Sequence, residues 1–96
     1  MKFTVVLAPE ADGGYSVICP AIQGCVSQGD SLDEALANIR EAVLLCMEVR
    51  GEDGLPVPVE TPEIIAREIQ ECLEFRAEDG RPMTIETREV VVPSAG

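Results

Sequence analysis

Apolar side chains recur with a period of two at the start of the chain and with a period near 3.6 in its middle, so short strands come first and helices follow. Residues 2–8 (KFTVVLA) are rich in β-branched and aromatic types and predict a strand. Pro9 and the run Ala11-Asp12-Gly13-Gly14 turn the chain, because glycine accepts a positive φ there. Tyr15 to Cys19 (YSVIC) predicts a second strand, ended by Pro20, which lacks a backbone donor. After Gln23-Gly24, a third strand runs from Cys25 to Gln28 and closes at Gly29-Asp30. Three short strands in succession predict an antiparallel meander.

From Ser31 the spacing of Leu32, Ala35, Leu36, Ile39, Ala42, Val43 and Cys46 is helical. Ser31 and Glu34 fit a capping box, so the helix starts there and is expected to reach about Arg50, with Gly51 as its stop. Leu44, Leu45 and Met47 lie outside the main stripe, and this second apolar side calls for a second packing partner. Gly51 to Pro58 (GEDGLPVP) holds two Gly and two Pro and reads as a connector. Thr61 as N-cap, Pro62 at the first helical position and Glu63 beside the positive helix end predict a second helix over 61–79. Ile65, Ile69, Cys72, Leu73 and Arg76 mark one side of it, and Gly80 and Pro82 end it. Thr84 to Val92 predicts a final strand whose place in the sheet the sequence leaves open.

The order β-β-β-α, then α and β, defines an α+β fold of two layers with the main helix across one sheet face. One domain is expected over 1–96, divided into a 1–50 core, a 51–60 connector and a 61–96 helix-strand extension. At this size about 60–70% of the unfolded surface is buried on folding.

Charge changes the picture more than composition does. The formal net charge is −11, and the single Lys and six Arg are scattered, so no basic stripe exists to neutralise phosphates. With Phe3, Tyr15 and Phe75 as its three aromatics, the chain has little on which bases could stack. Direct nucleic-acid binding is not expected, and an acidic field of this size favours a basic partner. Nothing approaches the roughly 20 apolar residues of a membrane span.

Cys19, Cys25, Cys46 and Cys72 form no C-x-x-C pair, and the chain has no His, so zinc spacings are absent. The apolar stretch Phe3 to Ala8 is too short for a signal peptide, which points to free thiols acting as small hydrophobes in a reducing cytoplasm. No Ser or Cys stands in a recognisable nucleophile elbow. Asp12, Asp30, Asp33 and Glu34 are conceivable ligands of a metal-dependent nuclease, but turn and helix-cap roles account for all four. No cofactor is expected.

The stretch DGGYSVICPAIQGCVSQGDSLDEALANIREAV, Asp12 to Val43, resembles the signature of the HicB-like antitoxins and their stand-alone relatives. Gly13-Gly14-Tyr15, Pro20, Gly24-Cys25, Gly29-Asp30 and Glu34-Ala35-Leu36 fall in one frame, and with the preceding strand the likeness covers the first half of the chain. The resemblance implies a partial ribonuclease-H-like β-β-β-α unit, an oligomer built on dimers, and no enzymatic activity. It also implies a partner: HicA, a small basic toxin that cleaves RNA with a His and whose active site the antitoxin blocks. A stand-alone structural or regulatory oligomer is the alternative. On this reading the toxin-contacting residues are Asp12, Tyr15, Gln23, Cys25 and Gln28, and the oligomer interface is Leu44, Leu45, Ile65 and Ile69. Two departures stand out. Cys19 occupies a position where many members carry an aromatic, and residues 61–96 offer no second helix to complete a DNA-binding motif, so operator binding is not expected.

Overall fold

Residues 1–93 are described by a computed structural model of the protein. The chain forms β1 (Lys2–Pro9), β2 (Tyr15–Ile18), β3 (Val26–Gly29), α1 (Leu32–Glu52), α2 (Pro62–Asp79) and β4 (Glu86–Val91), in the predicted order. The strands make an antiparallel sheet with order β3-β2-β1-β4. β4 pairs with β1 along its length, Lys2 facing Val91 and Leu7 facing Glu86. The Met1 ammonium donates to the Val92 carbonyl at 3.0 Å, and the Val92 N–H donates to Met1 at 2.9 Å. The C-terminal strand therefore lies beside the first one and completes a single sheet.

Side-chain alternation along β1 divides its residues between two helices. Phe3, Val5 and Leu7 pack with Val17, Ala35, Ile39 and Val43 in the core between the sheet and α1. These two layers are the expected α+β sandwich. Val6 and Ala8 point the other way and are also buried, under α2. Helix α2 thus lies across the outer face of β1, and its N-terminal end is tied there by Glu60, whose carboxylate accepts from the Thr4 N–H at 2.5 Å and the Thr4 hydroxyl at 2.9 Å.

Both helix starts follow their local chemistry. Ser31 Oγ accepts from the Glu34 N–H at 3.1 Å, and Thr61 Oγ1 from the Ile64 N–H at 3.2 Å. The end of α1 differs from expectation. Gly51 lies inside the helix, and the positive φ of +69° falls at Gly54. A glycine within a helix costs only about 1 kcal/mol. The extra turn gains the Asp53 N–H to Val49 bond at 3.0 Å and the Leu55 N–H to Arg50 bond at 2.9 Å. Arg50 Nη2 also reaches the Pro56 carbonyl at 2.9 Å and folds the connector back on the helix. Helix α2 ends as predicted, at Gly80 with φ +67°.

Among the described residues, α1 and α2 do not touch. The surplus apolar side of α1 at Leu44 and Leu45 is therefore not covered by α2. Leu44 packs at the margin of the core and Leu45 is exposed.

Candidate functional site

One end of the sheet carries a cleft of about 280 Å³, formed where the β1–β2 hairpin loop, the end of β3 and the first turns of α1 converge. The loop is shaped by its own hydrogen bonds: the Glu10 N–H donates to the Gly14 carbonyl at 2.7 Å, and the Gly14 N–H donates to Asp12 Oδ1 at 3.0 Å. Gly13 takes φ +96°, which its missing side chain permits. On the opposite wall, Asn38 Nδ2 donates to the Gln28 carbonyl at 2.8 Å and joins β3 to α1.

Asp12, Tyr15 and Gln28, three of the residues assigned to partner contact, line this cleft together with Asp30 and Glu34. Gln23 stands elsewhere, in a depression beside Leu45 and Val49 at the far end of α1. Cys25 is 1% exposed in the core, so its side chain is not available to a partner unless that core opens. The four residues assigned to an oligomer interface do not form one patch, because Leu44 and Leu45 belong to α1 and Ile65 and Ile69 to α2, which do not meet.

Two contributors are not evident from the chain. Glu10 lines the cleft and accepts from the Ser16 hydroxyl at 2.8 Å while pairing with Arg76 at 3.3 Å and Arg81 at 3.5 Å. Asn38 stands one turn after Glu34, and that i,i+4 spacing is the available signal. Glu10 is neutralised by its two arginines, whereas Asp12, Asp30 and Glu34 have no ion-pair partner among the described residues. The cleft therefore presents three unpaired carboxylates beside Tyr15, Gln28 and Asn38. Its chemistry suits a cationic side chain with several hydrogen-bond donors, above all Arg. Among the described residues, no group of three or more Cys, Asp or Glu is placed to hold a metal ion.

All four thiols are free. Burial pushes the Cys19 thiol up to about 11. It pushes Cys25 to about 12, with Cys46 and Cys19 adding to the effect. A disulfide reagent is expected to modify the half-buried Cys46 and Cys72 in the folded protein and the core thiols Cys19 and Cys25 only after unfolding. Because these folded-state values lie above the ordinary 9.0, the protonated thiols favour the fold. Their contribution is complete below pH 9 and is lost as pH rises toward 11–12, so the thermal midpoint should fall over that interval. A Cys19→Ala, Cys25→Ala double variant should lose less stability than wild type between those limits, and an identical decline would refute the assignment.

Fold and cleft together define a small acidic α+β domain, a β-β-β-α unit whose sheet is completed by a C-terminal strand. The chain belongs to the HicB-like antitoxin family of bacterial toxin-antitoxin systems, whose family model matches residues 3–80. It is 48% identical over 59 residues to a UPF0150 protein of Synechocystis, covering 62% of this chain and 75% of that one. It is 36% identical to Antitoxin HicB 1 of Photorhabdus laumondii over 65% of this chain and 40% of that protein. Among solved structures, the N-terminal domain of the Burkholderia pseudomallei antitoxin HicB superposes with a TM-score of 0.68 at 26% identity, covering 97% of this chain and 99% of that one. The HicB chain in a HicA3–HicB3 complex has the same fold, with a TM-score of 0.63 at 21% identity. No helix of the described residues is long and apolar enough to cross a membrane.

Proposed function

We propose that the protein is an antitoxin-type binding module, not an enzyme, which neutralises a small basic RNA-cleaving toxin of the HicA type by covering its active site with the acidic cleft. The observation that carries this reading is the cleft itself, where Asp12, Asp30 and Glu34 are unpaired among the described residues of a family member with a net charge of −11. Opposite fields accelerate encounter and disfavour wrong partners. Unpaired surface carboxylates also cost little to hold in water, so their interaction free energy is kept for the complex. Such a complex forms in the cytoplasm, where RNA-cleaving toxins act.

The test is functional. Toxin encoded beside this chain is assayed on RNA alone and with stoichiometric antitoxin. Wild type should abolish cleavage, and a Tyr15→Phe, Asp30→Asn variant should restore most of it. Full inhibition by that variant would locate the contact elsewhere, and RNA cleavage unaffected by wild type would reject the toxin reading altogether.

A further inference from the structure

The outer face of the sheet is covered over only part of its width. A four-stranded sheet is about 15–19 Å across, and a helix with its side chains covers about 10 Å. Helix α2 occupies the half above β1, burying Val6 and Ala8, and leaves the half above β2 and β3 without a helix. Val26, which pairs with Ile18 on this face, is 59% exposed. On the side of α2 that overlooks it, Phe75 is 57% exposed, with Arg81 stacked on its ring at 5.5 Å. Between strand and helix runs an apolar groove of about 560 Å³, floored by Ile18 and Val26, bounded on the α2 side by the buried Val6 and Ala8, and walled by Cys72 and Phe75. Its free width, two strands, is that of one helix.

The rim supplies the charge requirement. Glu68 and Glu71, one turn apart on α2, line the groove. Burial raises the Glu68 carboxyl, and repulsion from Glu71 raises it further. Neither carboxylate has an ion-pair partner among the described residues, although Arg67 lies four residues before Glu71. An apolar floor beside two uncompensated carboxylates matches a helix with an apolar stripe flanked by cations. A second copy of this chain matches it poorly, because it would bring like-charged rims together on molecules that each carry −11.

We propose that the groove between α2 and the β2–β3 half of the sheet is a docking site for a basic amphipathic helix of a partner protein, laid beside α2 to complete the outer layer. This inference is independent of the cleft, so either can fail without the other.

The probe is a fluorescein-labelled peptide of about 18 residues with Leu at helical spacing and Lys between, compared with a scramble of the same composition; at this length it spans about 27 Å. Anisotropy titrations should show one-to-one saturation at least ~10-fold tighter for the amphipathic order, a difference of about 1.4 kcal/mol. A Val26→Ser, Phe75→Ser variant, altered only at exposed positions, should reduce the amphipathic peptide to the level of the scramble without moving the thermal midpoint. Glu68→Gln with Glu71→Gln should weaken binding several-fold and flatten its salt dependence. Equal binding of both peptides, or unchanged binding by both groove variants, would overturn the proposal. So would sedimentation showing a wild-type dimer that the Val26→Ser, Phe75→Ser variant dissociates, since the groove would then hold a second copy.

Discussion

Arg76→Ala should lower the unfolding free energy by about 3 kcal/mol, the largest loss expected from any polar substitution in this chain. The Arg76 side chain is 2% exposed, and each arm of its guanidinium is used. Nε donates to the Pro82 carbonyl at 2.5 Å, Nη2 donates to the Pro9 carbonyl, and Nη1 pairs with Glu10 at 3.3 Å. One side chain thus joins the end of β1, the last turn of α2 and the segment leading to β4. Truncation leaves two carbonyls and a carboxylate without their main donor. The loss should sit at the lower end for a buried pair, because Glu10 is partly exposed and keeps Arg81 and Ser16. Arg76→Lys should recover less than half, since an ammonium cannot serve three acceptors in the plane of a guanidinium. Urea denaturation at constant m-value measures both, and a loss below about 1 kcal/mol for Arg76→Ala would show that α2 is not locked through this residue.

Gly29→Ala should be the most damaging glycine substitution, at about 2–4 kcal/mol. A Cβ at Gly29 would lie 2.4 Å from the Ala35 nitrogen and 2.8 Å from the Ala35 Cα, and both are backbone atoms of α1 that no rotamer change can move aside. β3 would have to separate from the helix, and the cleft wall would move with it. Gly51→Ala provides the opposite sign. Gly51 is helical and nothing stands within 4 Å of the added methyl, so this change should stabilise by about 0.5–1 kcal/mol. Paired thermal melts of the two variants check both, and a neutral Gly29→Ala would mean that the strand does not seat against the helix as described.

What the sequence made legible was local. Ser31, Thr61, Pro62 and Gly80 set helix ends through neighbours within a few residues, and each end lies where that chemistry places it. The end of α1 was harder because Gly51 and Gly54 both suit a stop, and the choice depends on where Arg50 and Asp53 find partners. The place of β4 depends on pairing with Lys2 to Leu7, far away along the chain, as when Lys2 faces Val91 and Leu7 faces Glu86, and no local pattern encodes that register. Of the site, the hairpin turn and the start of α1 were readable as turn and cap chemistry. That Asp12, Tyr15, Gln28, Asp30 and Glu34 converge follows from strand register and the close seat of Gly29 on α1. Glu10 gave no signal because its arginine partners lie beyond residue 70, whereas Arg76 gave one, a charged residue on the apolar side of its helix. Cys25 stands beside turn residues in the sequence, while its own side chain turns inward and packs in the core, which no local pattern announces.

The cleft reading stands or falls on charge at Asp30, an exposed residue without an ion-pair partner among those described. The decisive measurement is the dissociation constant of the purified toxin for wild type and for Asp30→Lys, taken by calorimetry at low and at physiological salt. Replacing an attraction by a repulsion at this position should weaken binding by about 100-fold at low salt, mainly through slower association, with a smaller ratio as salt rises. Equal dissociation constants for the two proteins, with the toxin still inhibited, would contradict an antitoxin that acts through this cleft.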